Sequence, residues 1–83
     1  MGGVISDVLA ERKRQDEKWG GPTHDDAHTA QEWCCILAEH AGHFSGLTLG
    51  GANLAQMRAE AVQIAAITLA IVESIDRNGG DGA

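Results

Sequence analysis

The feature that most constrains this chain is the uncharged run Ala61–Val72 (AVQIAAITLAIV), bracketed by Glu60 and Glu73. Leu54, Met57, Ala61, Ile64, Thr68, Ile71 and Ile75 recur at alternating steps of three and four, the spacing of one helical stripe. Val62, Ala65, Ala66, Leu69 and Val72 form a second apolar line. A helix apolar on most sides is expected to be buried on most sides. The run falls short of the roughly 20 apolar residues a bilayer span needs. It therefore predicts the central helix of a bundle, with no membrane partner. Glu60 and Gln63 share one face at its entry, and a carboxylate beside so much hydrocarbon needs a partner.

A chain of 83 residues is read as one domain, 1–83. Small chains bury a smaller share of their surface than large ones, so a helix this apolar predicts self-association, as a dimer or tetramer. The formal net charge of -6 and the pI near 4.9 argue against a nucleic-acid partner, which selects for clustered Lys and Arg. A small anionic ligand stays compatible if a divalent cation first neutralises the carboxylates. Cys34 and Cys35 are adjacent, so on a helix they point apart and are poorly placed to bond. They predict packed thiols in a reducing compartment. The start, MGGVISDVL, lacks the basic region and apolar core of a signal peptide, and a cytoplasmic location is expected.

Ser6–Trp19, with Val4 as its earliest start, is expected to be the first helix, with Ile5, Val8, Leu9 and Arg12 on a short apolar face. Its polar half holds Arg12, Lys13, Arg14 and Lys18, and Gly20, Gly21 and Pro22 end it. Most of these charges read plainly as a solvated face with local ion pairs such as Lys13–Glu17. Trp19, just before the Gly-Gly break, is either a lid over the core or a stacking surface for a ligand ring. Thr23–His28 (THDDAH) reads as a loop. His24, Asp25, Asp26 and His28 look like a metal cluster there, but acids before a helix are explained more simply by capping and the dipole. A ligand role for His24 and Asp25 is the alternative, with the loop folded over a site.

Thr29-x-x-Glu32 is a capping box that places the second helix at Ala30–Phe44. Trp33, Ile36, Leu37, Ala41 and Phe44 supply its packing stripe, and Glu39 and His43 stand one turn apart on a neighbouring face. His40 lies to the side, one turn from His43. Gly42 costs up to about 1 kcal/mol against Ala in a helix interior, which suggests close backbone approach. Ser45–Ala52 reads as a flexible connection. Asn53, with Gln56 in the capping-box position, opens the third helix, and Asn78, Gly79 and Gly80 end it, leaving a disordered tail near 79–83. The expected architecture is all-α: a three-helix subunit, its last two helices an antiparallel hairpin, completed into a helical bundle by oligomerisation.

Across that hairpin Glu39 and His43 face Glu60 and Gln63, a plausible cage for one divalent ion. Oxygen ligands alone suit Mg²⁺; an imidazole shifts preference toward Mn²⁺, Fe²⁺, Ni²⁺ or Zn²⁺. The plain structural alternative pairs Glu60 with Arg58 or His43, and on spacing alone it is favoured.

Three stretches carry a family resemblance: LAERKRQDEKWG (Leu9–Gly20) with the following His-Asp, ILAEHAGH (Ile36–His43), and MRAEAVQIAAITLAIVESIDR (Met57–Arg77). On these the chain resembles the MazG-like, all-α nucleoside triphosphate pyrophosphohydrolases, in a short form of the kind carried by phages and actinobacteria. The family holds Mg²⁺ with E-E-x-x-E on one helix and E-x-x-D on the next. Glu39 matches the first acid, His40 and His43 stand where the second and third belong, Glu60 matches the fourth, and Gln63 replaces the Asp. The resemblance implies hydrolysis of a nucleoside triphosphate to the monophosphate and pyrophosphate. Glu39 and Glu60 would be the catalytic metal-holding acids, with His43 and Gln63 as auxiliary ligands and Mg²⁺ or Mn²⁺ as the first choice of ion. Arg14 and Lys18 would offer charge to the phosphates, Trp19 would stack on the base and Gln15 would bond its edge. Only two of the five acids remain, and each lost carboxylate weakens the cage. Two other readings therefore stand beside the enzyme: a nucleotide-binding sensor or sequestering protein without turnover, and a structural oligomer in which Glu60–His43 fixes helix register.

Overall fold

The two long helices of the C-terminal half begin where the sequence supplies a cap. The Thr29 hydroxyl accepts from the Glu32 backbone N–H while the Glu32 carboxylate accepts from the Thr29 N–H, which opens α3 (Ala30–Leu49). Asn53 and Gln56 repeat the reciprocal pair at the start of α4 (Leu54–Arg77). The computed structural model describes residues 3–78. Before these two helices come α1 (Val4–Trp19) and the short α2 (Pro22–Asp26). Among the described residues there is no strand.

The turn between α1 and α2 depends on glycine. Gly20 has φ 107° and Gly21 φ 71°, values that L side chains rarely adopt and that glycine adopts freely. Pro22 then occupies the first turn of α2, where its missing N–H costs nothing. THDDAH, expected as a loop, is helical as far as Asp26 for this reason.

α4 is the common partner of the other three helices. Its face bearing Glu60, Ala66, Ile67, Ala70 and Ser74 is buried, and Val8 of α1 completes a small apolar core. The opposite face of α4 is not covered: Leu69, Val72 and Ile75 are 38%, 50% and 49% exposed. The expectation of burial on most sides is thus met on one side only. α3 contributes no fully buried residue, and Val4, Ile5 and Leu9 on α1 are also exposed.

Several expectations need correction. The second helix continues past Phe44 to Leu49, so the connection to α4 is only Gly50 to Asn53. Once a helix is nucleated each added residue gains a hydrogen bond, and this carries α3 through Gly46. Gly42 is not a point of close approach, because a Cβ there would meet nothing within 4 Å. Cys34 and Cys35 are exposed and unbonded, not packed. Among the described residues the local ion pairs of α1 are Arg14–Glu11 and Arg12–Asp16, not Lys13–Glu17. The predicted tail and the Gly79–Gly80 stop lie outside the described residues. Among those residues, no helix is long and apolar enough to cross a membrane.

Candidate functional site

A pocket of about 490 Å³ opens over the buried face of α4, with Gln63, Ile67 and Ala70 among its lining residues. α1 contributes Arg12, Arg14, Gln15, Lys18 and Trp19, and α3 contributes Trp33, Ile36, Glu39 and His40. His24 and Asp25 of α2, with His28 just beyond it, complete the lining.

One wall of the pocket is a continuous run of rings. Trp19 stacks on His24 at 5.8 Å between centroids, and His28 stacks on Trp33 at 4.5 Å. His24 and His28 meet edge to face at 4.6 Å. The glycine turn brings His24 back over Trp19, and the His28 Nδ1–H holds its own ring by donating to the His24 and Asp25 carbonyls at 3.0 and 3.3 Å. Lys18 Nζ lies 4.9 Å from the Trp19 ring centre, within cation–π range. No carboxylate lies within 4.0 Å of Lys18 among the described residues.

At one end of the pocket Arg12 is 7% exposed and gathers carboxylates from three helices. Its guanidinium donates to Asp25 Oδ2 at 2.9 Å, to Glu73 Oε1 at 3.0 Å, and to Asp16. Burial works against the charge, but the hydrogen bonds to Asp16 and Glu73 outweigh it and raise the guanidinium's pKa. Planar guanidinium with its five donors can satisfy several carboxylates at once, where a Lys ammonium is a single point of charge. Beside it, Asp26 accepts from Ser74 Oγ at 2.8 Å and from Arg77 Nη2 at 2.8 Å. α2 is thereby fastened to α1 through Asp25 and to α4 through Asp26. The Arg77 hydrogen bonds, with help from Ser74, lower the Asp26 pKa.

Farther along α4, Glu60 is 4% exposed and both of its oxygens are occupied. His40 Nδ1–H donates to Oε2 at 2.9 Å and His43 Nδ1–H donates to Oε1 at 2.6 Å. This answers which partner the buried carboxylate finds. Of the two structural alternatives, His43 takes it and Arg58 does not, since Arg58 bonds Asp7 at 2.6 Å. His40 joins from the position expected to stand aside.

The residues expected to form a metal cage are therefore only partly gathered. His43 meets Glu60, while Glu39 is exposed and shares the pocket lining with Gln63. Among the described residues, no group of three or more His, Cys, Asp or Glu side chains is arranged to hold a metal ion. A cation at Glu60 would have to displace two imidazole donors from the carboxylate it needs. As folded, this donor set does not fit the expected ion.

The expected ligand-binding residues are brought together: Arg14, Gln15, Lys18 and Trp19 all line the pocket, and so do His24, Asp25 and His40. Besides Asp25 and His40, held by Arg12 and Glu60, two more are already engaged. Arg14 forms a two-point pair with Glu11 at 2.8 and 2.7 Å, and the Gln15 amide N–H₂ donates to Glu11 at 3.1 Å and to the Gln63 carbonyl at 3.4 Å. Sequence reasoning missed Arg12, Glu73 and Trp33 as parts of the site, and it named His28 in the THDDAH cluster only to set it aside. For Arg12 a signal was present, because a cation placed on the Val8 stripe requires buried acids.

No family model, no curated protein and no solved structure matches the chain.

Proposed function

We propose that the protein binds a nucleotide, or a small signal derived from one, in the pocket bounded by α1, α2, α3 and α4, as a sensor or sequestering protein. The observation that carries this reading is the pairing of ring surface with unspent positive charge. Trp19 is 54% exposed beside Lys18, whose ammonium has no carboxylate within 4.0 Å among the described residues. In a chain of formal charge -6, the pocket lining holds Arg12, Arg14 and Lys18 against Asp25 and Glu39. A base would stack on the Trp19–His24 surface, and phosphates would turn toward Lys18 and Arg14. The Arg14 side chain is more than half exposed, so a phosphate can reach its guanidinium from solvent, and Glu11 keeps its hydrogen bond from Gln15. Binding drawn this way uses no metal.

The test is a thermal-shift screen of nucleotides with and without divalent ions, followed by product analysis of each hit. A ligand at 100 times its Kd should add about 2.7 kcal/mol of stability. Absence of a shift with every nucleotide would sink the reading.

A second reading, the pyrophosphohydrolase, is supported by the three resembling stretches and by Glu39, His40 and Gln63 lining the same pocket. It requires His40 and His43 to release Glu60. Pyrophosphate release with Mg²⁺ or Mn²⁺, abolished by Glu60→Ala, would establish it over the binder. Either reading takes α3 and α4 as an antiparallel hairpin, and the exposed Leu69, Val72 and Ile75 support self-association into a larger bundle. The free thiols of Cys34 and Cys35 fit a cytoplasmic location.

A further inference from the structure

We infer that Asp25 selects the ligand's ring, favouring heterocycles that carry an exocyclic amine over those with a carbonyl at the same place. The inference rests on the proposed nucleotide pocket and concerns which ring that pocket accepts. Asp25 is 6% exposed yet lines the pocket. Its Oδ2 is held by Arg12 at 2.9 Å, which fixes the carboxylate's orientation. Its other oxygen, Oδ1, has only a 3.4 Å contact with His24 Nδ1, at the long limit of a hydrogen bond.

A buried carboxylate oxygen so weakly engaged has acceptor capacity to spare and can offer nothing else, because an ionised carboxylate cannot donate. A ring stacked on the adjacent Trp19–His24 pair would bring its edge toward this oxygen, which His24 itself contacts. Cytosine and adenine present an amine that Asp or Glu can accept from. Uracil and hypoxanthine replace that amine with an oxygen, so two acceptors would face each other without water between them. Sites built to hydrogen-bond one group reject the analogue lacking it far more strongly than apolar pockets separate homologues.

The experiment is Trp fluorescence titration of the full chain with CTP against UTP and ATP against ITP, in EDTA so that no hydrolysis intervenes. Each pair differs in the ring edge and leaves the triphosphate unchanged. The expected result is at least tenfold tighter binding of CTP over UTP and of ATP over ITP. Equal affinities within both pairs would overturn this inference and leave the pocket reading intact. Failure of all four to bind would overturn both. Asp25→Asn, whose amide can present either edge, should bring both ratios close to one, while Asp26→Asn on the same short helix should leave them unchanged. A wild-type ratio retained in folded Asp25→Asn would also overturn the assignment. The wild-type pairs decide the matter however well the variant folds.

Discussion

The two buried polar centres along α4 solve opposite problems. At the α2 end a cation, Arg12, is surrounded by Asp16, Asp25 and Glu73. At the α3 end an anion, Glu60, is flanked by His40 and His43. The first centre joins three helices through a group whose charge does not change at any ordinary pH. The second joins two helices through two imidazoles that share one carboxylate. One is a knot of acids around a cation and the other a clamp of two rings on an acid. The difference also separates the two functional readings, since the Arg12 knot borders the proposed ring site while the imidazole clamp occupies the acid that a metal would need.

Removing the centre of each cluster should give the largest effect and the clearest contrast. Arg12→Ala leaves Asp25 buried without its cation and should cost about 3–5 kcal/mol, read as a large fall in the urea midpoint. If Arg12→Ala were as stable as wild type, the knot would be ornamental. Glu60→Ala should cost less, about 1–3 kcal/mol, because His43 is 63% exposed and can turn to water. A cost at Glu60 equal to or above that at Arg12 would reverse the comparison.

Next in size is the separate contribution of the two imidazoles. His40→Ala should destabilise more than His43→Ala, because the His40 ring is 30% exposed and the His43 ring 63%. Each should fall within about 0.5–3 kcal/mol, and the double variant should be non-additive because both rings share one carboxylate. Additive losses in chemical denaturation would mean that the two contacts are independent.

Acid provides a smaller probe at the α2 end. Asp26 titrates below its ordinary value of 3.8 because of Arg77. A carboxylate with a depressed folded pKa stabilises fully above its unfolded value, and that stabilisation is lost as the pH falls through the folded value. Arg77→Ala should therefore reduce the difference in stability between pH 5 and pH 2, measured by urea unfolding at each pH. An unchanged difference would remove Asp26 from the fastening of α2. Smallest of all, Arg14→Gln should alter stability by less than about 1 kcal/mol, since the Arg14 side chain is more than half exposed and Glu11 keeps Gln15 as a donor, while weakening nucleotide binding in the titration.

How much of this was legible depended on whether the controlling interaction was local in sequence. Thr29–Glu32 and Asn53–Gln56 declared two helix starts, because a capping box is written within four consecutive residues. The α4 stripe declared its helix through periodicity, and one carboxylate beside hydrocarbon declared that Glu60 needs a partner, with Arg58 and His43 both open as candidates. The pocket residues Arg14, Gln15, Lys18 and Trp19 could be gathered because they share one helix. α2 was not legible, since its geometry depends on two glycines taking positive φ in succession. Nor was the burial of Asp25, whose partner Arg12 sits on another helix.

The sequence by itself determined where α3 and α4 begin, that the architecture is helical, and that Glu60 needs a partner, since hydrogen bonding and apolar spacing act within a few residues. Tertiary structure alone decided that both imidazoles close on Glu60 and that Arg12 gathers acids from three helices. It also decided which face of α4 is left uncovered. Those outcomes depend on distances between segments up to 61 positions apart, as in Arg12 and Glu73. A charge in a sequence states that it needs a partner, and only packing in three dimensions chooses which one it receives.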